Sequence, residues 1–285
     1  MLARSAVFDI YGDHLLGTTG WAPVAALVQL TGVVDVAPAA TRTAISRMAR
    51  EGWLDAETRS GVRGYALTPR ARHRLASAAQ RIYADRTPEW DGEWHLVVVE
   101  HSADRSVRAR VRGSMEYLGY ARLAADTWVA PRPSDDLAET LGNGYREFRS
   151  RLTGDPVRFA AEMWDLDALA EAHNGYIRWL TDLVADLPDV DAAGDLECYT
   201  TRSLALHEWR KFLFTDPGLP LEVLPPDWPG SRASKQFRDV AARLRPGAAG
   251  YVDTCIRTAL GRSTTDPTDG PNTEPNTEPN IEEIR

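Results

Sequence analysis

The sequence predicts a multidomain α+β protein with an N-terminal winged helix-turn-helix, a central ferredoxin-like α+β unit and a helical C-terminal unit. Three observations predict it. Residues 39–65 read as a helix followed by a hairpin, residues 94–141 as strand, helix, hairpin and helix, and from Asp165 onward apolar residues recur at helical spacing. At 285 residues the chain is long enough for two or three domains.

Val7, Ile10, Tyr11 and Leu15 recur at helical spacing and predict an opening helix. Trp21–Thr31 reads as a second, with Pro23 in its first turn and Gly32 just past its end. Pro38 stands near the start of a third, which Gly52 stops. On this third helix Arg42, Thr43, Ser46, Arg47 and Arg50 fall three and four residues apart and share one face, whereas Ala44, Ile45 and Met48 opposite are apolar and can pack inward. Trp53–Thr58 and Arg63–Leu67 read as strands joined across Ser60-Gly61, with Arg59 and Arg63 at the tip. Thr68 then caps a fourth helix with Pro69 at its first position and Leu75, Ala79, Ile82 and Tyr83 as its buried stripe. Helix, helix, helix, hairpin, helix is the order of a winged helix-turn-helix, whose third helix enters the major groove while the hairpin touches phosphates. Arg42, Thr43, Ser46, Arg47, Arg50, Arg59 and Arg63 are therefore the candidate DNA-contacting residues, and double-stranded operator DNA is the expected partner.

Charge supports that division. Only Lys211 and Lys235 are lysine among 33 basic residues, a bias that accompanies abundant Ala, Asp and Pro, so the distribution of cations says more than their identity. Residues 1–86 carry 11 Arg against 7 acidic residues, whereas the remainder carries 22 basic against 34 acidic and brings the net charge to −8. A basic module on an acidic body is the layout expected when one end meets DNA. No apolar run approaches a membrane span and the N-terminus lacks a signal-peptide pattern, so a soluble cytoplasmic protein with no membrane partner is expected. Cys198 and Cys255 are expected to be free thiols, too few for a structural zinc site.

A boundary falls around Thr87–Gly92, where Pro88, Asp91 and Gly92 interrupt the helical pattern. Trp94–His101 follows as a β-branched strand, Arg105–Leu118 as a helix with Val107, Val111, Met115 and Leu118 inward, Gly119–Leu123 and Thr127–Ala130 as a hairpin, and Asp135–Leu141 as a short helix. A last strand within Arg151–Ala160 would complete a ferredoxin-like unit. Leu166, Leu169, Ala170, His173, Tyr176, Ile177 and Leu180 mark a long helix. Arg202–Phe214 marks a second, with Leu206, Trp209 and Leu213 inward, and Ser234–Leu244 and Ala249–Leu260 two closing ones. The expected domains are 1–86, 87–163 and 164–262. Beyond them, 263–285 repeats Pro-Asn-Thr-Glu as a polar acidic tail that cannot bury a core and is expected to be disordered.

The opening Arg4-Ser5-Ala6-Val7-Phe8-Asp9-Ile10-Tyr11-Gly12-Asp13 resembles the start of the PaaX-type repressors of phenylacetate catabolism. So do residues 42–54, running from Arg42-Thr43-Ala44-Ile45 to Gly52-Trp53-Leu54, and Glu89-Trp90-Asp91-Gly92. Trp164-Asp165-Leu166, His207-Glu208-Trp209-Arg210, Asp216-Pro217-Gly218-Leu219-Pro220 and residues 224–230 are similar to signatures of the same family's later segments. The resemblance covers most of residues 2–260. It implies a winged-helix domain, a central domain akin to a CRISPR-associated nuclease fold, a helical C-terminal domain, and a homodimeric repressor released by an aryl-acyl-coenzyme A such as phenylacetyl-coenzyme A. In the wing, Gly64 stands where such proteins often carry a bulkier residue.

An enzyme reading finds little support. A metal-dependent nuclease needs clustered carboxylates, and Glu100-His101-Ser102 at the end of the first central strand have no evident second carboxylate beside them. His207-Glu208 lacks a histidine four residues on, where Lys211 stands, and no Gly-rich phosphate loop or nucleophile elbow occurs, so no catalytic residue, metal or cofactor is expected. For the implied thioester, Trp128 and Trp164 are candidate aromatic walls. Arg202, His207, Arg210 and Lys211 are candidate cations for the coenzyme's phosphates. The competing reading makes the tryptophans core and the cations partners of a helix C-terminus. A constitutive DNA-binding regulator, whose C-terminal region only dimerises, is the alternative to a ligand-released repressor.

Overall fold

The computed structural model describes residues 1–83, 89–185, 187 and 193–262. The expected boundary between residues 86 and 87 and the expected disordered tail 263–285 lie outside them. The chain opens with α1 (Ala3–Ile10), continued by a wide π-type turn over Tyr11–Leu15. Strand β1 (Trp21–Pro23) leads into α2 (Val24–Gly32), α3 (Pro38–Arg50), the hairpin β2 (Leu54–Arg59) and β3 (Val62–Leu67), and α4 (Pro69–Tyr83). The three strands form an antiparallel sheet in the order β1-β3-β2.

The second helix is shorter than its periodicity predicts, because Trp21–Pro23 is a strand. Pro23 is extended (ψ 146°) at the N-cap of α2, and the Trp21 indole N–H donates to the Glu57 carbonyl (3.1 Å), tying β1 to the hairpin. The Trp21 ring lies over Gly64, where a Cβ would approach that ring and the Ala22 carbonyl to 2.5 Å, and this contact accounts for the glycine in the wing. The two-residue turn holds Ser60 and Gly61 at φ 51° and 77°, the left-handed pair whose twist suits a hairpin. Thr68 caps α4 by accepting from the Ala71 N–H (3.1 Å).

The central sheet contains β4 (Trp94–Val99), β5 (Ala121–Ala124), β6 (Thr127–Ala130) and β7 (Tyr145–Ser150), all antiparallel in the order β5-β6-β4-β7. Helices α5 (Arg105–Tyr117) and α6 (Leu137–Leu141) cover one face, where Val97 and Trp128 meet Met115 and Leu137. On the other face Trp94 and Val129 meet Ala160 and Leu166. The strand expected within Arg151–Ala160 lies earlier, at Tyr145–Ser150. It is an edge strand with charged residues on both faces, which hides the usual apolar alternation, and Pro156 opens α7 (Pro156–Met163) instead.

The C-terminal part is α8 (Leu166–Ala185), α9 (Asp195–Trp209), the short α10 (Phe212–Thr215) and α11 (Pro229–Arg262). The helix expected over Arg202–Phe214 begins at Asp195 and breaks before Phe212. The two closing helices are one, running through Pro246. A Cβ on Gly247 would lie 2.7 Å from Cys198 Sγ, and one on Gly250 2.5 Å from Asp195 Oδ2, so both glycines admit the first turn of α9 against α11. Cys198 and Cys255 are free and buried, and burial pushes both thiols up.

The N-terminal and C-terminal helices share one apolar core: Val7, Tyr11, Leu27 and Met48 pack in the same cluster as Tyr199, Leu244 and Val252. A buried ion pair runs through it. Arg202 on α9 donates to both oxygens of Asp13 (2.7 and 2.6 Å), to the Tyr83 hydroxyl (3.0 Å) and to the Ala241 carbonyl on α11, while Tyr83 donates to Asp13 (2.5 Å). Burial alone pushes the Asp13 carboxyl up, but the Arg202 guanidinium reverses this and holds it below the ordinary carboxylate range. Beside it His14 is buried, and desolvation pushes its imidazole down.

Two predictions follow from this packing. Gly64→Ala forces Cβ into the Trp21 ring and should cost about 1–3 kcal/mol, read as a lowered midpoint of thermal unfolding. Asp13→Asn strands the Arg202 charge and should cost about 3–5 kcal/mol, most of it recovered when Arg202→Met is added to Asp13→Leu. The pH dependence has the same origin. Asp13, with its folded pKa depressed, contributes stability above its unfolded value of about 3.8 that is lost as pH falls below it, and His14, also depressed, contributes above about 6.5. Stability should therefore fall in two stages on acidification, and His14→Gln should remove part of the upper stage in a pH series of denaturant melts.

Candidate nucleic-acid interface

Helix α3 is amphipathic for a reason visible in its packing. Thr41, Ile45 and Met48 are buried, Thr41 by a hydroxyl hydrogen bond to Thr31 of α2 (2.7 Å), so the positions between them turn outward. Arg42, Thr43, Ser46, Arg47 and Arg50 are all exposed along that outer face. Gly52, at φ 73°, ends the helix and redirects the chain into β2.

The five are not equally available. Arg47 donates to Glu51 (2.8 Å), and Arg4 of α1 takes the other oxygen of the same carboxylate. Arg4 and Arg47 hold the Glu51 carboxyl below its ordinary range. Thr43 turns its hydroxyl back to the Ala39 carbonyl (2.9 Å). Among the described residues no carboxylate pairs with Arg42, Arg50 or Arg63. At the wing, Arg63 is exposed beside the Tyr65 hydroxyl (3.5 Å), whereas Arg59 is half-buried, paired with Glu57 (2.8 and 3.0 Å) and stacked over Trp21 (5.1 Å). The face therefore offers Arg42, Arg50 and Arg63 directly, Arg47 in exchange for Glu51, and Arg59 chiefly as part of the wing's own structure.

The residues expected to hold a thioester do not converge. Trp128 is buried in the central sheet beneath α5, and Trp164 stacks on Trp94 on the opposite face (5.9 Å). Arg202 is consumed by Asp13. His207 and Arg210 face Asp9 of α1, His207 Nδ1 at 3.1 Å and Arg210 Nε at 2.6 Å, the latter an ion pair without hydrogen-bond alignment. Lys211, in the turn between α9 and α10, is exposed and paired with Glu208 near the end of α9 (2.6 Å). The cations of α9 thus bind two carboxylates of the opening helix, Asp9 and Asp13. Sequence inspection missed these acids, although two Asp four residues apart within an otherwise apolar stripe are the signal that marks them.

A second omission concerns the central strand end, where Asp126, 25 residues on in sequence, lies 2.9 Å from His101. Among the described residues no group of three or more His, Cys, Asp or Glu side chains gathers to hold a metal ion, and no helix is long and apolar enough to cross a membrane.

Comparison with known proteins bears on all three parts of the chain. Residues 2–71 match the family model of PaaX-like proteins, residues 87–152 that of the PaaX central Cas2-like domain, and residues 164–254 that of the PaaX-like C-terminal domain. The transcriptional repressor PaaX of Escherichia coli (strain K12) is 27% identical over 272 residues, covering 90% of this chain and 85% of the relative. Among solved structures, the uncharacterized protein Rv0674 from Mycobacterium tuberculosis aligns with a TM-score of 0.57 at 27% identity, over 86% of this chain and 96% of that one. With all three segments matched in order, the chain belongs to the PaaX family of transcriptional repressors and is a regulator, not an enzyme.

Proposed function

We propose that this chain represses transcription by binding operator DNA through residues 1–86, folded as a winged helix-turn-helix, and that an aryl-acyl-coenzyme A, phenylacetyl-coenzyme A first, releases it. The observation that carries the DNA reading is the outer face of α3. Its five polar residues are exposed while Thr41, Ile45 and Met48 anchor the same helix, and a basic hairpin follows directly. The strand order and antiparallel pairing of residues 94–150 support a ferredoxin-like reading of the central unit. The protein acts in the cytoplasm as a homodimer joined through residues after 87 and reads an inverted repeat, as twofold helix-turn-helix proteins do. A phenylacetate-type catabolic operon is the expected target.

Release works through α1. His207 and Arg210 are partly exposed and hold Asp9, so an anionic thioester that takes the Arg210 guanidinium and the His207 ring, with Lys211 beside them, competes with the helix that carries the DNA-binding unit. Moving such an equilibrium from mostly competent to mostly incompetent takes roughly 5.5 kcal/mol of differential affinity, and operator DNA must weaken thioester binding by the same factor.

Arg47→Ala should cost about 1–3 kcal/mol of operator affinity without unfolding the chain, while Arg63→Ala should weaken binding less selectively and reduce the salt slope by about 1. A salt-titrated operator assay on both variants checks this, and unchanged affinity in both would reject α3 as the reading helix. Lys211→Ala, which leaves the contacts of His207 and Arg210 with Asp9 in place, removes one of the accessible charges and should lower the response to phenylacetyl-coenzyme A with operator affinity retained. Calorimetry with the thioester, the free acid and coenzyme A alone reads the outcome, and no binding of any thioester would leave a constitutive regulator.

A further inference from the structure

The body of the chain is acidic in sum, yet α5 is a basic helix whose cations are closely spaced. Helix α5 carries Arg105, Arg108, Arg110 and Arg112 in Arg105–Tyr117, and its first acid is Glu116. All four arginines are exposed, and among the described residues none forms an ion pair with a carboxylate. Arg105, Arg108 and Arg112 are spaced three and four residues apart and form one row. Arg108 is braced by the Ser102 and Ala103 carbonyls (2.8 and 2.6 Å), which fix its direction without neutralising it. Asp104, the nearest acid, caps the helix by accepting from the Ser106 N–H (2.7 Å). Several exposed arginines elsewhere on the body are matched with carboxylates, Arg149 with Asp91, Arg158 with Glu162 and Arg178 with Glu171, while Arg122 and Arg146 donate to backbone carbonyls of their own strands and turns.

The placement of α5 adds to its charge. It lies on the same face of the central sheet as α6, and α6 reaches the N-terminal unit, where Asp136 pairs with Arg74 (2.6 Å) and Glu139 with Arg70 and Arg74 (3.6 and 3.1 Å) of α4. The helical face of the central unit therefore meets the N-terminal unit at the contact of α6 with α4. We propose that the α5 arginine row is a second DNA surface, holding phosphates of the duplex beyond the segment read by α3. A polyanion is the partner that such a row of arginines without carboxylate partners selects, and duplex DNA is the one the neighbouring module is proposed to engage. The inference rests on the proposed DNA binding by α3.

Full-length protein titrated with a random-sequence duplex of about 40 base pairs across a salt series tests it, because non-specific binding reads phosphate contacts alone. Arg105→Gln with Arg112→Gln, which keeps helix propensity and leaves the braced Arg108 in place, should bind severalfold more weakly, with the salt slope reduced by roughly 2 at about 0.9 per phosphate lost. Arg158→Gln with Arg178→Gln removes the same charge from matched positions and should change neither quantity. An equal loss in that control would reduce the effect to net charge and overturn the surface. An unchanged slope in the α5 variant, while Arg42→Ala with Arg47→Ala lowers it, would overturn the α5 row and leave DNA binding by α3 standing. No binding by the unaltered protein would overturn both. Weakened binding of single-stranded RNA of the same length, with duplex binding unchanged, would assign the row to another partner and overturn the proposal.

Discussion

The Asp13–Arg202 ion pair governs how this chain is put together. Both groups are almost fully buried, with side chains 2% and 5% exposed, so each pays a desolvation cost that only the other repays. Asp13 sits in the wide turn that continues α1, Arg202 in the middle of α9, and Tyr83 at the end of α4 hydrogen-bonds to both. The end of the opening helix, the end of the helix after the wing and the centre of the C-terminal bundle are thereby fixed to one point. Nearby, Pro246 has no N–H to give the carbonyl four residues before it, and Arg202 donates to the adjacent Ala241 carbonyl. A charge-compensated joint of this kind has two arrangements, made or broken, and no stable intermediate in which one charge is left alone in the core.

That joint ties the N-terminal unit to the C-terminal helices. Val7, Tyr11, Leu27 and Met48 pack in one cluster with Tyr199, Leu244 and Val252, so the N-terminal unit has no separate apolar core to move upon. The orientation of α3 is set through Thr41 and Thr31 to α2, and through the Tyr199 hydroxyl donating to the Leu30 carbonyl (3.2 Å) to α9. A change on α9 is transmitted to α3 through packed helices, not through a linker. The second contact, His207 and Arg210 against Asp9, is at the edge of this joint and partly open to water, whereas the first is sealed.

Much of this was legible in the sequence where local rules decide. The face of α3, the Ser60-Gly61 turn, the Gly52 stop and the Thr68 cap each depend on neighbours within a few residues, and each stands where its pattern predicts. What escaped depends on partners far along the chain. Trp21–Pro23 has apolar residues that suit a helix, and only pairing with β3 makes it a strand. Tyr145–Ser150 is charged on both faces because it is a sheet edge. The cations of α9 form a coherent polar face that reads as an anion site, yet their counter-charges lie at Asp9 and Asp13, almost two hundred residues away, and no periodicity within α9 reveals them.

The arginines also show why counting charge is a poor guide to a binding face in a chain of this composition. Nearly every cation is Arg, so the guanidinium alone distinguishes nothing, and its immediate partner decides its role. Arg59 stiffens the wing through Glu57 and Trp21, Arg202 closes the core, and Arg70 and Arg74 clasp α6, all with their charge already answered. Arg42, Arg50, Arg63 and the α5 row have no carboxylate answer among the described residues, and they lie on α3, the β2–β3 hairpin and the helical face of the central sheet. Glu51 falls between the two groups: shared by Arg4 and Arg47, it holds a charge at the end of α3 that a phosphate must displace. Such a competitor acts on Arg4 and Arg47 alone and leaves the charges of Arg42, Arg50 and Arg63 as they are.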